Sequence, residues 1–244
     1  MDLYRAQPLT VAAKGMLLSL RWRFDRARIA AVRLHTPEPL RACLDRTLAW
    51  LLEKVPAPEI GDYLELGCFN GHTMATAAAA LDSAGLGHTR LVGFDSFRGL
   101  PAAAAIEDRG VFVPGEWHCR PFITRENLAA RGVDLERVEL VEGWFPDTLV
   151  EATAQRLQLE RTSLVFLDWA LGSGTAEALR FVAPLLGARA AFVFPYWAKG
   201  ELDRHGQGQK AALEAFLARH PELVAEIRPG FHDHARVALI ERRG

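Results

Sequence analysis

The sequence has little cysteine: Cys43, Cys68 and Cys119 are the only three among 244 residues, far apart and without a CxxC pair. An odd, scattered set of thiols excludes a disulfide framework and a thiolate zinc site, and fits a reducing compartment. Charge imbalance is also missing. The 29 Lys and Arg nearly cancel the 30 Asp and Glu, giving a net charge of −1, so no nucleic-acid partner and no attraction to an acidic membrane are expected. No apolar run reaches the roughly 20 residues that span a bilayer, and the start lacks a signal-peptide pattern, so no integral membrane association is expected. Neither repeats nor low-complexity linkers are present. These absences together predict a cytoplasmic protein.

What is present is enough hydrophobic sequence, 50% of residues, for one sizeable core. The charge is uneven: residues 1–35 carry a net +5, which leaves −6 for the rest. Over residues 9–34 the apolar Leu17, Leu18, Leu20, Trp22, Phe24, Ile29 and Val32 interleave with arginines. This stretch reads as a helix that packs on the domain or on a second copy, a possible route to a homodimer. Thr36-Pro37-Glu38-Pro39 breaks it, with Thr36 placed to cap a following helix carrying Leu40, Leu44, Leu48, Leu51 and Leu52 to about Val55. The expected division is an N-terminal helical extension over 1–59 and a main domain over 60–244.

From residue 62 the texture changes. Tyr63–Leu66, Leu91–Phe94, Val138–Val141, Leu164–Leu167 and Ala191–Phe194 are short apolar runs expected as buried strands, with Val224–Ile227 and Arg236–Ile240 closing the chain. Ala75–Ala80, Arg125–Arg131, Ala176–Leu186 and Lys210–His220 are expected as the helices between them. Strands alternating with helices predict an α/β fold with a mainly parallel sheet covered on both faces. The connection from Ser96 to Arg137 is long and rich in Gly, Pro and aromatics, as lids and substrate walls often are. His232 and His234 are expected at a hairpin between the last two strands.

In such sheets ligands bind beyond the carboxyl ends of the strands. The first strand ends in Glu65-Leu66-Gly67, and Cys68-Phe69-Asn70-Gly71-His72-Thr73 opens a helix. Gly67 and Gly71 let the backbone turn tightly beside a ligand, and the helix start at Asn70, His72 and Thr73 offers free N–H groups. Asp95 ends the second strand, where a carboxylate can accept from both ribose hydroxyls; its alternative is a helix cap. The spacing is G-x-x-x-G, whereas a dinucleotide pyrophosphate wants G-x-G-x-x-G. S-adenosylmethionine (SAM), which has no phosphate, suits the shorter turn.

The segments 62–71, Val92-Gly93-Phe94-Asp95-Ser96-Phe97-Arg98-Gly99-Leu100-Pro101 and Glu142-Gly143-Trp144-Phe145-Pro146-Asp147-Thr148-Leu149 resemble the macrocin O-methyltransferase family, in order, over about residues 60–220. The resemblance implies the Rossmann-like class I methyltransferase fold, with seven strands and the last antiparallel, and SAM as cofactor. By position it implies Glu65 and Gly67 at the methionine end, Asp95 at the ribose, and Ser96, Phe97, Gly143, Trp144, Phe145 and Asp168 around the cofactor.

The resemblance also implies a magnesium ion held by carboxylates after the fourth and fifth strands, and here the sequence departs from the family. After Asp168 the second acid is replaced by Ala170, and the fifth strand ends Phe194-Pro195-Tyr196-Trp197. One carboxylate does not satisfy a hard dication, so no catalytic metal is expected. Methyl transfer to a hydroxyl then needs a general base, while an amine or thiol needs little beyond geometry. The candidates are Asp168, Tyr196, His205 and His118, each with a structural role as its alternative. Trp117, Trp169, Tyr196 and Trp197 are candidates for an apolar acceptor pocket. Two functions remain open at this point: a metal-independent methyltransferase for O- or N-methylation of a small-molecule natural-product acceptor, and a scaffold that has lost catalysis.

Overall fold

A computed structural model of the chain describes residues 26–102, 114–169, 172–197 and 208–243. Seven strands form one sheet: β1 (Asp62–Leu66), β2 (Leu91–Asp95), β3 (Val138–Glu142), β4 (Thr162–Leu167), β5 (Leu186–Phe194), β6 (Leu223–Pro229) and β7 (Arg236–Arg242), in the order β3-β2-β1-β4-β5-β7-β6. The first five run parallel, and β7 pairs antiparallel with both β5 and β6. The described helices are α1 (Arg26–Ala31), α2 (Pro37–Leu52), α3 (His72–Ser83), α4 (Pro121–Ala130), α5 (Phe145–Thr148), α6 (Glu151–Arg156), α7 (Gly172–Val182) and α8 (Gln209–Arg219). No helix among the described residues is long and apolar enough to cross a membrane.

Side chains alternate across the sheet, so each strand feeds two cores. Tyr63, Leu164, Phe166 and Val193 join Leu40, Leu44, Leu48 and Leu51 of α2 and Ala77 and Leu81 of α3. Leu64, Leu66, Val165 and Phe192 point the other way, against Leu179 of α7 and Phe216 of α8. The α2 helix therefore packs into the same core as β1, β4 and α3. Thr36 stands at its N-cap without a side-chain bond, and Pro37 supplies the preset helical φ at the first position.

Three boundaries differ from the periodicity. The first helix, expected to 34, ends at Ala31, because the Asn70 amide takes the carbonyls of Ile29 (2.7 Å) and Val32 (2.9 Å). The expected helix to Leu186 ends at Val182, since Pro184 sits in a 3-10 turn and cannot continue it. The strand β5 begins at Leu186, ahead of the expected Ala191. Its first half holds Gly187 and Arg189, which interrupt the apolar run. Arg189 is nonetheless buried, with its guanidinium 4.2 Å over the Trp50 ring and bonded to the Trp50 carbonyl.

Candidate active site

Strand order reverses at β1, whose neighbours β2 and β4 are reached by crossovers in opposite directions. The carboxyl ends of these strands therefore open a crevice. Gly67 continues the ladder by donating to the Phe94 carbonyl at 2.8 Å and then turns with φ +98°. A Cβ there would lie 2.5 Å from the Asp168 carbonyl oxygen, so both conformation and space demand glycine. Gly67→Ala is expected to cost about 2–3 kcal/mol of stability and to abolish cofactor binding, read together by urea denaturation and calorimetry.

Asp95 organises the turn. Its Oδ2 accepts the Cys68 and Phe69 N–H groups, each at 2.8 Å, and its Oδ1 accepts Phe97 N–H at 2.7 Å. Burial nevertheless raises its pKa, the three N–H groups pulling it back down and the Asp168 charge adding to the rise. A carboxylate has about four acceptor sites, so capacity remains for a hydroxyl. Phe69 is held at φ +44°, an unusual conformation for a bulky residue, with its ring edge-on to Trp117 at 5.7 Å. Ser96 closes the next turn by donating to the Gly99 carbonyl, and Phe97 is buried in the core.

Glu65 lies fully buried one residue inside the turn. The Tyr63 hydroxyl donates to its Oε2, and Oε1 is buried with no partner. Burial drives its pKa well above the ordinary carboxylate value; the Tyr63 bond and the Met74 N–H oppose this, and the charges of Asp168 and Asp95 reinforce it. Three acids thus stand at the neighbouring ends of β1, β2 and β4 without meeting at one point. An open buried acceptor among them fits a cationic ligand, and SAM carries an ammonium and a sulfonium.

On the β3 side, Gly143 has φ +151° and donates to the Asp95 carbonyl at 2.9 Å. Trp144 caps α5, and the Phe145 ring lies 5.1 Å from that of Trp169. The Trp169 indole packs where Gly174 has no side chain, and its Nε1 is buried without a partner. A second open polar atom therefore stands beside an aromatic wall. Gln209, which no motif marks, joins these ends: its amide nitrogen donates to the Leu167 and Trp169 carbonyls, and its oxygen accepts the Tyr196 N–H.

Asp168 closes the crevice. His35 Nε2 lies 3.1 Å from both its carboxylate oxygens, and the two side chains are only 2% and 3% exposed. The Tyr196 hydroxyl also bonds Asp168, and burial together with that carboxylate holds its pKa well above the usual phenol value. Tyr196 is accordingly a neutral donor. Ala170 and His205 lie outside the described residues. His118 is half-buried next to the buried Cys119. Among the described residues no three His, Cys, Asp or Glu side chains converge on a point that could hold a metal ion.

The expected aromatic pocket is divided in the structure. Trp117 packs on Phe69, Trp169 on Phe145, Trp197 on Phe194, and Tyr196 faces His35. Asn70 spends its amide on the α1 carbonyls, and its Oδ1 accepts the His72 N–H. Thr73 is buried in the first turn of α3. His72 faces a separate groove of about 480 Å³, lined also by Pro37, Arg41 and Arg131. Both its ring nitrogens are buried without partners, and burial, with Arg33, Arg131 and His35 adding repulsion, lowers its pKa to about 4. A depressed histidine contributes stability above pH 6.5 and loses it as pH falls through 4. Up to about 3 kcal/mol follows from that depression, so His72→Gln is expected to flatten the acid limb of stability between pH 6.5 and 4.

Comparison with solved structures places this fold among methyltransferases. The O-methyltransferase NovP superposes with a TM-score of 0.64, covering 97% of this chain and 99% of its own at 17% identity. The calicheamicin methyltransferase CalS11 gives 0.62, covering 100% of this chain and 97% of its own at 21% identity. An apo structure of CalS11, described as a TDP-rhamnose 3'-O-methyltransferase, gives 0.56 at 20% identity, with both chains covered to 100%. No curated protein matches the sequence closely. The family profile of macrocin O-methyltransferases matches residues 38–185, which run from α2 to just before β5 and include the carboxyl ends of β1 to β4. The chain belongs to the macrocin O-methyltransferase family and is a SAM-dependent methyltransferase.

Proposed function

We propose that this enzyme methylates a hydroxyl or amine of a small-molecule natural product without a catalytic metal. The observation that carries the metal-free reading is the partner set of Asp168: a histidine and a tyrosine hydroxyl, with Pro195 and Tyr196 where a metal site would place further acids. That donor set does not fit a hard dication, which needs several oxygen ligands. The 3'-O-methylation named for CalS11 supports a sugar or glycosylated compound as the first acceptor class to test.

When bound, SAM supplies an electrophilic methyl group on a sulfonium; the chain supplies position. Asp95, fixed by three N–H donors, presents its remaining acceptor capacity to the ribose hydroxyls. Glu65 offers Oε1 to the ammonium, Gly67 keeps the turn tight against Asp168, and Gly71 lets the helix start pack against Leu128 and Thr124 of α4. Phe145 and Trp169 wall the adenine side. Asp168 receives the proton of a hydroxyl acceptor, and Tyr196, held neutral, aims the carboxylate. His118 and His205 remain the alternatives for that proton. In-line alignment of the two reactants then contributes most of the acceleration.

The test is label transfer from methyl-labelled SAM to a panel of sugar, macrolide-type and amine acceptors after exhaustive EDTA treatment. Transfer unchanged by EDTA or added magnesium is expected. Tight SAM binding with no turnover on any acceptor would favour a scaffold that has lost catalysis. A homodimer formed through the basic N-terminal segment is part of the same proposal. Light scattering should show a dimer that deletion of residues 1–35 dissociates.

A further inference from the structure

A carboxylate left alone at a buried strand end carries a large desolvation cost unless a donor or cation faces it. For Asp168 that group is His35, from the bend between α1 and α2. Its Nε2 is equidistant from both carboxylate oxygens at 3.1 Å, on the bisector a bound cation would also take. An ionised carboxylate only accepts, so Nε2 carries the hydrogen.

The ring is enclosed rather than loosely docked. Phe166, Phe231 and Tyr196 pack around it, with centroids 5.6, 5.0 and 6.2 Å away. The backbone that carries it is anchored independently. Asn70 of the glycine turn holds the Ile29 and Val32 carbonyls, and Arg131 holds that of Ala30 at 3.0 Å. Cofactor turn and His35 are thus tied through one residue.

We propose that the imidazole of His35 stands in the place a divalent cation takes in metal-bearing relatives, so that the segment preceding α2 completes the strand-end site with a side chain instead of an ion. This rests on the metal-free reading above and adds the residue responsible. It accounts for the loss of the other acids: with the imidazole seated on Asp168, carboxylates after β4 and β5 would have no cation to hold.

The test uses EDTA-treated full-length protein, wild type, His35→Gly and His35→Asp, with Mn²⁺ and imidazole as separate probes. Melting temperature and Mn²⁺ electron paramagnetic resonance are the readouts. Imidazole at roughly 10 mM should raise the melting temperature of His35→Gly by about 4 °C and leave the wild type unshifted. Mn²⁺ should bind His35→Asp, which sets a second carboxylate opposite Asp168, and neither of the other two proteins. If the wild type binds one Mn²⁺ per chain, the metal-free reading itself falls, and this proposal with it. If imidazole does not stabilise a folded His35→Gly, or if Mn²⁺ does not bind His35→Asp, the proposal is overturned while the metal-free reading stands. Should the glycine variant not fold, His35→Asp alone carries the test: Mn²⁺ binding there supports the proposal, and no binding overturns it.

Discussion

Asp95→Ala is expected to weaken binding of S-adenosylhomocysteine by about a hundredfold. The carboxylate does two jobs at once. It fixes the glycine turn through Cys68 and Phe69 and the next loop through Phe97, and it is the acceptor offered to the ribose. Hydrogen bonds to a charged acceptor contribute about 1.5–3 kcal/mol each, though not additively, and about 3 kcal/mol of net loss corresponds to two decades in affinity. Alanine also orphans the N–H of Phe69, whose left-handed backbone at φ +44° relies on that anchor. Asp95→Asn should fall between, because its amide nitrogen must face a donor on at least one side. Calorimetric titration gives the affinities, and circular dichroism establishes that each variant keeps its fold.

Glu65→Gln is expected to act in opposite directions on binding and on stability. The free protein holds this acid fully buried with its pKa well raised, chiefly by burial. A group whose folded pKa is raised contributes stability below its unfolded pKa, near 4.5, and loses it as pH rises toward the folded value. The uncharged glutamine escapes that loss. The variant should therefore melt higher than wild type at pH 8, with the gap closing as pH approaches 4.5. Glutamine cannot offer a negative charge to the cofactor's ammonium, so SAM affinity should fall by about tenfold. An unchanged melting temperature across that range would show that Glu65 is not the strained acid described here.

Much of the fold was legible because short apolar runs mark β1, β2 and β4, whose side chains are buried on both faces of a parallel sheet. The first half of β5 was not, since Gly187 and Arg189 look like loop until Trp50 and Glu241 are seen to bury the arginine. The end of α1 was hidden for a similar reason: its carbonyls are taken by Asn70, 41 positions away from Ile29.

The turn residues of the site carry a local signal, because a glycine bend and a strand-end acid are written in consecutive positions. His35 carries none. It lies 133 positions from Asp168, in a segment whose only readable feature was a break before Pro37. Gln209 was equally silent, one polar residue at a helix start that turns out to join the ends of β4 and β5. The missing acids at 170 and 195–196 were the available hint, since a lone Asp168 had to be paired with something.

The most direct measurement is calorimetric titration of EDTA-treated protein with S-adenosylhomocysteine, wild type beside Asp95→Ala. One ligand per chain, the same heat with or without magnesium, and about hundredfold weaker binding in the variant are predicted. Absence of binding to the wild type, or binding that appears only when magnesium is added, would contradict the account.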